Sequence, residues 1–341
     1  MTRRTGADER GRSELAATGL LVAVTAVWGS TFFLIRDLVR VVPSADFLTV
    51  RFAIAAIAMA LVLHRPVREL DRRDVLVGVG LGALYGAAQL LQTVGLEHTS
   101  ASVSGFITGM YVVLTPAITA LLLRERIEAS TWIAVALSTA GLAILSLRGV
   151  SVGAGEALTL GSAVVYALHI IALGRWSTPE RAVGLAVVQS ATIAIVCLPF
   201  AAPGGITLPR DGGQWAALVY MALAAGAGAL LAQTWAQAHL SATRAAVVMT
   251  LEPVFAALFA VLLGGESATA RMLLGGALVL GALLRLVLPV PRDEAERLGL
   301  PAVADDMIAT ARASPTATRP RAPPSSTSPR SRFSPRTTSR S

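Results

Sequence analysis

The stretch QTVGLEHTSA (92–101) returns as QTWAQAHLSA (233–242), with five of ten positions identical at an offset of 141 residues. Chance would match about one, so the chain carries a copy of part of itself. Carried forward, the same offset sets Glu125 of LLLRERI on Glu266 of LLGGESA. Carried back at an offset of 138, it sets Trp28 on Tyr166 and Arg51 on Gln189.

Both copies are embedded in hydrocarbon. The 341 residues are 54% hydrophobic and 15% charged, with a mean hydropathy of +0.64, a composition that suits a bilayer rather than water. Apolar runs of about 20 residues can cross roughly 30 Å of hydrocarbon as helices. Such runs occupy 15–35, 45–63, 75–95, 100–123, 129–147, 156–174, 182–200, 214–236, 243–263 and 270–290. The expected fold is all-α: a polytopic membrane protein of ten transmembrane helices, built as five-helix repeats at 15–148 and 155–290. The first run is too long for a secretory signal, and others follow it, so it is read as a retained helix. Residues 1–14 form a short N-terminal segment. Residues 291–341, rich in Arg, Ser and Pro, lack the apolar area that folding needs and are expected to be a disordered tail.

An odd number of helices per copy sends the second copy into the membrane upside down. The arginines test this independently. They crowd the N-terminal segment (Arg3, Arg4, Arg10, Arg12) and alternate loops (Arg65, Arg68, Arg72, Arg73; Arg124, Arg126; Arg175, Arg181), which places those loops and both termini in the cytoplasm. Arg124 and Arg126 align with Gly265 and Ser267, so the cytoplasmic charge is absent where inversion requires it to be. Inverted repeats are the recurring build of secondary transporters, with the solute site near the midplane where the copies meet. All 29 basic residues are arginine, a hint of a GC-rich bacterial genome.

Charge within the spans is scarce, so each instance asks for a reason. Glu252, in TLEPVFAALF (250–259), falls at the middle of the ninth run. An ionised carboxylate there costs about 2.5–3.5 kcal/mol and belongs in an interior or a cavity. Pro253 removes a backbone donor and frees a carbonyl. The repeat partner of Glu252 is Tyr111, and two midplane positions related by a pseudo-twofold can converge on one cavity. A protonatable carboxylate suits proton coupling or an ammonium-bearing solute; the plainer reading is a neutral acid holding helices together. Arg51 lies about 9 Å inside the second run at 1.5 Å per residue, within snorkelling reach of water, or else serves as a gating group together with Gln189. Trp28, Gln92, Gln233, Tyr166 and His169 are single interhelical hydrogen-bonders on the plain reading, and together they outline a wet cavity. Gly78, Gly82 and Gly86 share one stripe suited to close helix approach.

Other chemistries find little footing. One cysteine, Cys197, excludes an intrachain disulfide and a cysteine metal cluster. Inversion puts His98 and His239 at opposite faces, so no metal and no cofactor is expected. The net charge of +8 is spread along the chain, which gives nucleic acid no footprint. Glu125 and Glu266, near helix ends, are expected to be structural.

With ten spans in two copies, WGSTFFLIR (28–36), the Arg51-Phe52 pair, SASVSGFITGMYVVLTPAITALLLRER (100–126) and TLEPVFAALFAVLLGGE (250–266), the sequence resembles the EamA-type drug/metabolite transporter superfamily over roughly residues 15–290. The resemblance implies an inner-membrane carrier, usually an exporter, for small metabolites or drugs. It implies alternating access, often with a proton or another ion as coupling partner, and a cavity lined by both halves. The implied partners are a small-molecule solute, the coupling ion and membrane lipids; no oligomeric state is implied. The commoner family pattern has a proline at the position of Val112, matching Pro253, whereas this chain has Pro116; the kink of the fourth helix is therefore expected one turn later. The expected solute contacts are Glu252, Tyr111, Trp28, Gln92, Gln233 and His169, with Arg51, Gln189 and Pro253 in gating or coupling. The rival is an intramembrane enzyme acting on lipid-linked substrates, which would cluster its acids, bases or ligands at one membrane face.

Overall fold

Residues 2–99, 101–146, 153–262 and 267–287 are described by a computed structural model, and every regular element among them is helical. The segment 291–341 and the positions Gly265 and Glu266 lie outside the described residues.

The chain runs through α1 (Thr2–Gly29), α2 (Phe32–Leu38), α3 (Ser44–Val62), α4 (His64–Arg68), α5 (Arg72–Glu97), α6 (Ala101–Gly109), α7 (Tyr111–Leu122) and α8 (Ala129–Ser146). It continues through α9 (Ala154–Trp176), α10 (Ala182–Ala201), α11 (Gly212–Tyr220), a π-helical stretch (Met221–Gly228), α12 (Ala229–Gln237), α13 (Ala242–Met249), α14 (Leu251–Leu262) and α15 (Ala270–Val287). Among the described residues, seven helical segments are long and apolar enough to cross a bilayer: 44–62, 72–97, 104–122, 154–176, 182–201, 212–237 and 242–259. Large apolar side chains such as Leu121 (77% exposed) and Leu273 (70%) stand on the outer surface, as they can where hydrocarbon is the solvent.

Local chemistry sets where helices start and bend. Asp71 caps α5 by accepting from the Asp74 amide at 2.7 Å, and Asp74 returns the bond at 3.4 Å, so two orphan donors are satisfied. At the end of α1, Thr25, Ser30 and Thr31 each turn a hydroxyl onto the carbonyl three residues back. Such back-bonding competes with the helix ladder, and the helix breaks between Gly29 and Phe32. The sixth and seventh helices join at Met110, where the Met110 amide tightens onto Ile107 O at 3.1 Å. The thirteenth and fourteenth join at Thr250, whose amide tightens onto Val247 O at 3.2 Å. The two interruptions therefore sit within one residue of matching positions. Pro116 lies inside α7, and the joint is not moved a turn later as the displaced proline suggests. The amide pattern at Met110, next to Gly109, sets the break.

Packing follows the glycines. The stripe Gly78, Gly82 and Gly86 on α5 lies against Val188, Gln189 with Thr192, and Val196 on α10, with an added Cβ at Gly82 only 2.6 Å from Thr192 Cβ and 2.8 Å from Gln189 O. Gly95 meets Gly155, which seats the end of α5 on the start of α9, while Gly141 meets Gly275 O between α8 and α15. The last pair run antiparallel, since Arg271 at the start of α15 donates to Ile144 O near the end of α8. Helices α3 and α10 are antiparallel too: Ser190 reaches Met59 at one end, while Phe47 and Phe52 share a cluster with Ile193 and Cys197 at the other.

Candidate functional site

Most hydroxyls within the spans are consumed by their own helix. Thr93 bonds Gln89 O, Thr159 bonds Gly155 O and Thr192 bonds Val188 O, so they mark no site. The informative polar groups are those whose partners come from another helix.

The first such set is partly accessible. Trp28, Gln92, Tyr166 and Glu252 are all half-buried, from α1, α5, α9 and α14. Tyr166 Oη donates to Gln92 Oε1 at 2.9 Å, and Gln92 Nε2 donates to Thr108 Oγ1 of α6 at 3.1 Å. Glu252 lies at the head of α14, where Pro253 is tolerated because first-turn amides lack helical partners. Its backbone is pressed onto α1: a Cβ at Gly29 would sit 3.0 Å from Glu252 O and 2.8 Å from Ala256 N. Only glycine permits that approach, while the neighbouring Trp28 packs on the cluster that holds Tyr111. The Glu252 carboxylate is close enough to Arg51, Tyr85, Tyr111 and Tyr166 to interact with each electrostatically. Tyr111 itself is buried, at 7% exposure.

A second set is dry. His169, Gln189, Gln233 and Gln237 are at most 1% exposed. Thr234 Oγ1 donates to Leu230 O at 2.6 Å, so it accepts from Gln189 Nε2 at 3.3 Å, and Gln189 Oε1 therefore faces His169 Nε2 at 3.0 Å. That polarity puts the His169 proton on Nε2 and leaves Nδ1 buried without a partner. Gln233 Nε2 donates to Gln237 Oε1 at 3.0 Å and faces the Met249 sulfur at 3.6 Å, while its Oε1 has no partner. Gln237 Nε2 donates to Ile170 O at 3.0 Å.

Arg51 belongs to neither set. It is 4% exposed and does not snorkel. Its Nε donates to Met221 O at 3.1 Å and its Nη2 to Ala225 O at 3.2 Å, both carbonyls of the π-helical stretch. The guanidinium lies 5.7 Å from the Phe47 ring and 5.2 Å from that of Phe52, where ring quadrupoles favour a cation. An edge-on series runs on from Phe52 to Tyr85 at 6.2 Å and from Tyr85 to Tyr166 at 5.6 Å and His169 at 5.0 Å.

The sequence-predicted residues thus divide. Trp28, Gln92, Tyr166 and Glu252 come together with Tyr111, whereas Gln233, His169 and Gln189 sit in the dry network. Sequence reading missed Tyr85, Thr108, Thr234 and Gln237. Thr234 had a signal, the repeated Gln-Thr pair; Tyr85 had none, since one aromatic in a glycine-rich apolar run looks like packing. Among the described residues no group of His, Cys, Asp and Glu is placed to hold a metal ion.

Helix ends are joined by charge. Arg181, before α10, pairs with Asp74 of α5, and Arg244 of α13 pairs with Glu14 of α1 at 2.9 Å. Outside the spans, the Asp71 carboxyl is held below its ordinary value, chiefly by the Asp74 backbone amide. Glu180 is also lowered, first by its own backbone amide and then by the Thr178 hydroxyl.

Comparison with known proteins adds three findings. The model of the EamA-like transporter family matches twice, over residues 16–147 and 153–288. A protein of Archaeoglobus fulgidus named "uncharacterized transporter" is 31% identical over 271 residues, spanning 79% of this chain and 85% of that protein. A solved crystal structure aligns with a TM-score of 0.66 at 18% identity, covering 83% of this chain and 99% of its own, a likeness of fold.

Proposed function

This chain belongs to the EamA-like transporter family, and from that premise we propose that it is a secondary carrier exporting small polar or amphipathic metabolites or drugs. On this reading it works by alternating access in a bacterial cytoplasmic membrane, with both termini in the cytoplasm. The two family matches along one chain support the duplication. The antiparallel packing of α3 on α10 and of α8 on α15, which are counterparts in the two copies, supports its inversion.

The observation that carries the site is the half-buried Glu252 at the head of α14, with Tyr111 and Tyr166 within its field and Trp28 packed on the cluster that holds Tyr111. A carboxylate so placed binds a proton or the ammonium group of a solute, and the aromatic faces hold an apolar or cationic body. Gln92 and Tyr166 offer a donor and acceptor pair that a polar solute can borrow. Arg51 and Gln189 stand behind this layer, where they hold the helices that must rearrange.

The test has two stages. Comparison of metabolites released by cells with and without the protein identifies the solute. Flux of that solute is then measured in proteoliposomes for wild type and Glu252→Gln. A loss of tenfold or more in the variant is expected; equal flux would remove the carboxylate from the mechanism.

A further inference from the structure

We infer that Arg51 is a positioning residue: through the carbonyl of Ala225 on the π-helical turn, it holds the Trp28 indole at the wall of the solute site. The inference rests on the reading that Trp28 borders the solute path.

Three bonds carry it. Arg51 Nε and Nη2 bridge Met221 O and Ala225 O, one helical turn apart, at 3.1 and 3.2 Å. Trp28 Nε1 donates to the same Ala225 O at 3.0 Å. The indole and the guanidinium therefore share one acceptor, and its direction in space depends on how the helix is wound at that point. Residues 221–228 are wound as a π-helix, a form seldom longer than a single turn and often found at functional sites. Their sequence, MALAAGAG, brings no side chain that could hold the winding by itself.

The surroundings make Arg51 the group that holds it. Among the described residues no carboxylate lies within ion-pair distance of this cation, so its charge is met at contact by backbone carbonyls and by the Phe47 and Phe52 rings, with the Glu252 carboxylate acting only at longer range. A buried cation without a paired anion must collect such dipoles. Arg51 lies against this backbone: a Cβ added at Gly226 would be in ordinary contact with Arg51 Nε at 3.9 Å, and tight only against Met221 O at 3.3 Å. A planar fork can bridge two carbonyls at once, and an ammonium on a flexible stem cannot hold both in a fixed geometry.

The experiment reads Trp28 without needing a solute. In the full chain Trp132, Trp176, Trp215 and Trp235 are replaced by Phe, leaving Trp28 as the single indole, and acrylamide quenching is measured in detergent for Arg51, Arg51→Lys and Arg51→Gln. Backbone hydrogen exchange is followed over residues 221–229 in the same samples. The expected result is at least twofold stronger quenching of Trp28 and at least tenfold faster exchange in that segment for Arg51→Gln. Arg51→Lys keeps the charge but gives up one of the two bonds, so it should fall between; it also serves if Arg51→Gln does not fold. Unchanged Trp28 quenching in the folded variants overturns the inference, as does a change in exchange spread evenly over all helices. Flux of Glu252→Gln judges the solute site separately, so the two readings fail independently.

Discussion

The two Gln-Thr copies that first betray the repeat end in opposite surroundings. Gln92 is half-buried and spends both ends of its amide on side chains of other helices, Tyr166 and Thr108. Gln233, its counterpart, is 1% exposed, bonds to Gln237 of its own helix, faces the Met249 sulfur of α13 at 3.6 Å and leaves its oxygen without a partner. Their threonines behave alike, each closing on the carbonyl four residues back. Local chemistry repeats because the sequence repeats. Environment does not, because a different set of neighbours lies across each helix.

The comparison breaks first if the dry wall gives way. Gly82 holds α5 against the backbone of Gln189, so Gly82→Val drives a side chain into Thr192 and Gln189 O, and overpacking of that kind costs up to about 3 kcal/mol. Thermal unfolding in detergent should show the loss. Gly80, with nothing within 4 Å of its added Cβ, gives a Val variant that unfolds like wild type.

The copies themselves come next. Gln92→Leu strips Tyr166 and Thr108 of their shared partner, and a flux loss of about tenfold, or 1.4 kcal/mol of barrier, is expected. Gln233→Leu removes an amide whose oxygen is already unpartnered and should alter stability by less than about 1 kcal/mol, with flux near wild type. Equal flux losses in the two variants would erase the distinction between a wet and a dry copy.

The smallest effect lies outside the spans. The carboxyl of Asp71, lowered from its ordinary value of 3.8 by the Asp74 amide, stabilises the start of α5 while it is ionised. A lowered carboxyl contributes above its unfolded value and loses that contribution as pH falls through the folded one. Asp71→Ala should therefore unfold slightly earlier than wild type at pH 7, and the gap should close below pH 3.8.

Much of this was legible in the residues. Seven of the ten apolar runs coincide with helices long enough to span, among the described residues, because a lipid-facing helix has no cheaper composition, and TLEPVFAALF singled out Glu252 because a carboxylate in hydrocarbon demands a reason. The division of Gln92 from Gln233 was hidden, since it depends on which neighbour lies across each helix. The anchoring of Arg51 was hidden too: its acceptors are backbone carbonyls freed by a π-helical winding, and MALAAGAG reads as an ordinary apolar helix. Tyr85 matters through ring contacts with Phe52, Tyr166 and His169, which a single aromatic in an apolar run does not announce.

The central claim, two copies threaded through the membrane in opposite senses around Glu252, is tested most directly by sided labelling of counterpart positions. Arg126 and Ser267 are both exposed and lie 141 residues apart, and the native thiol of Cys197 is buried. Arg126→Cys and Ser267→Cys are labelled in intact cells with a membrane-impermeant maleimide, before and after permeabilisation. The account predicts that Ser267→Cys reacts in intact cells and Arg126→Cys only once the membrane is opened. Labelling of both from the same side would contradict it.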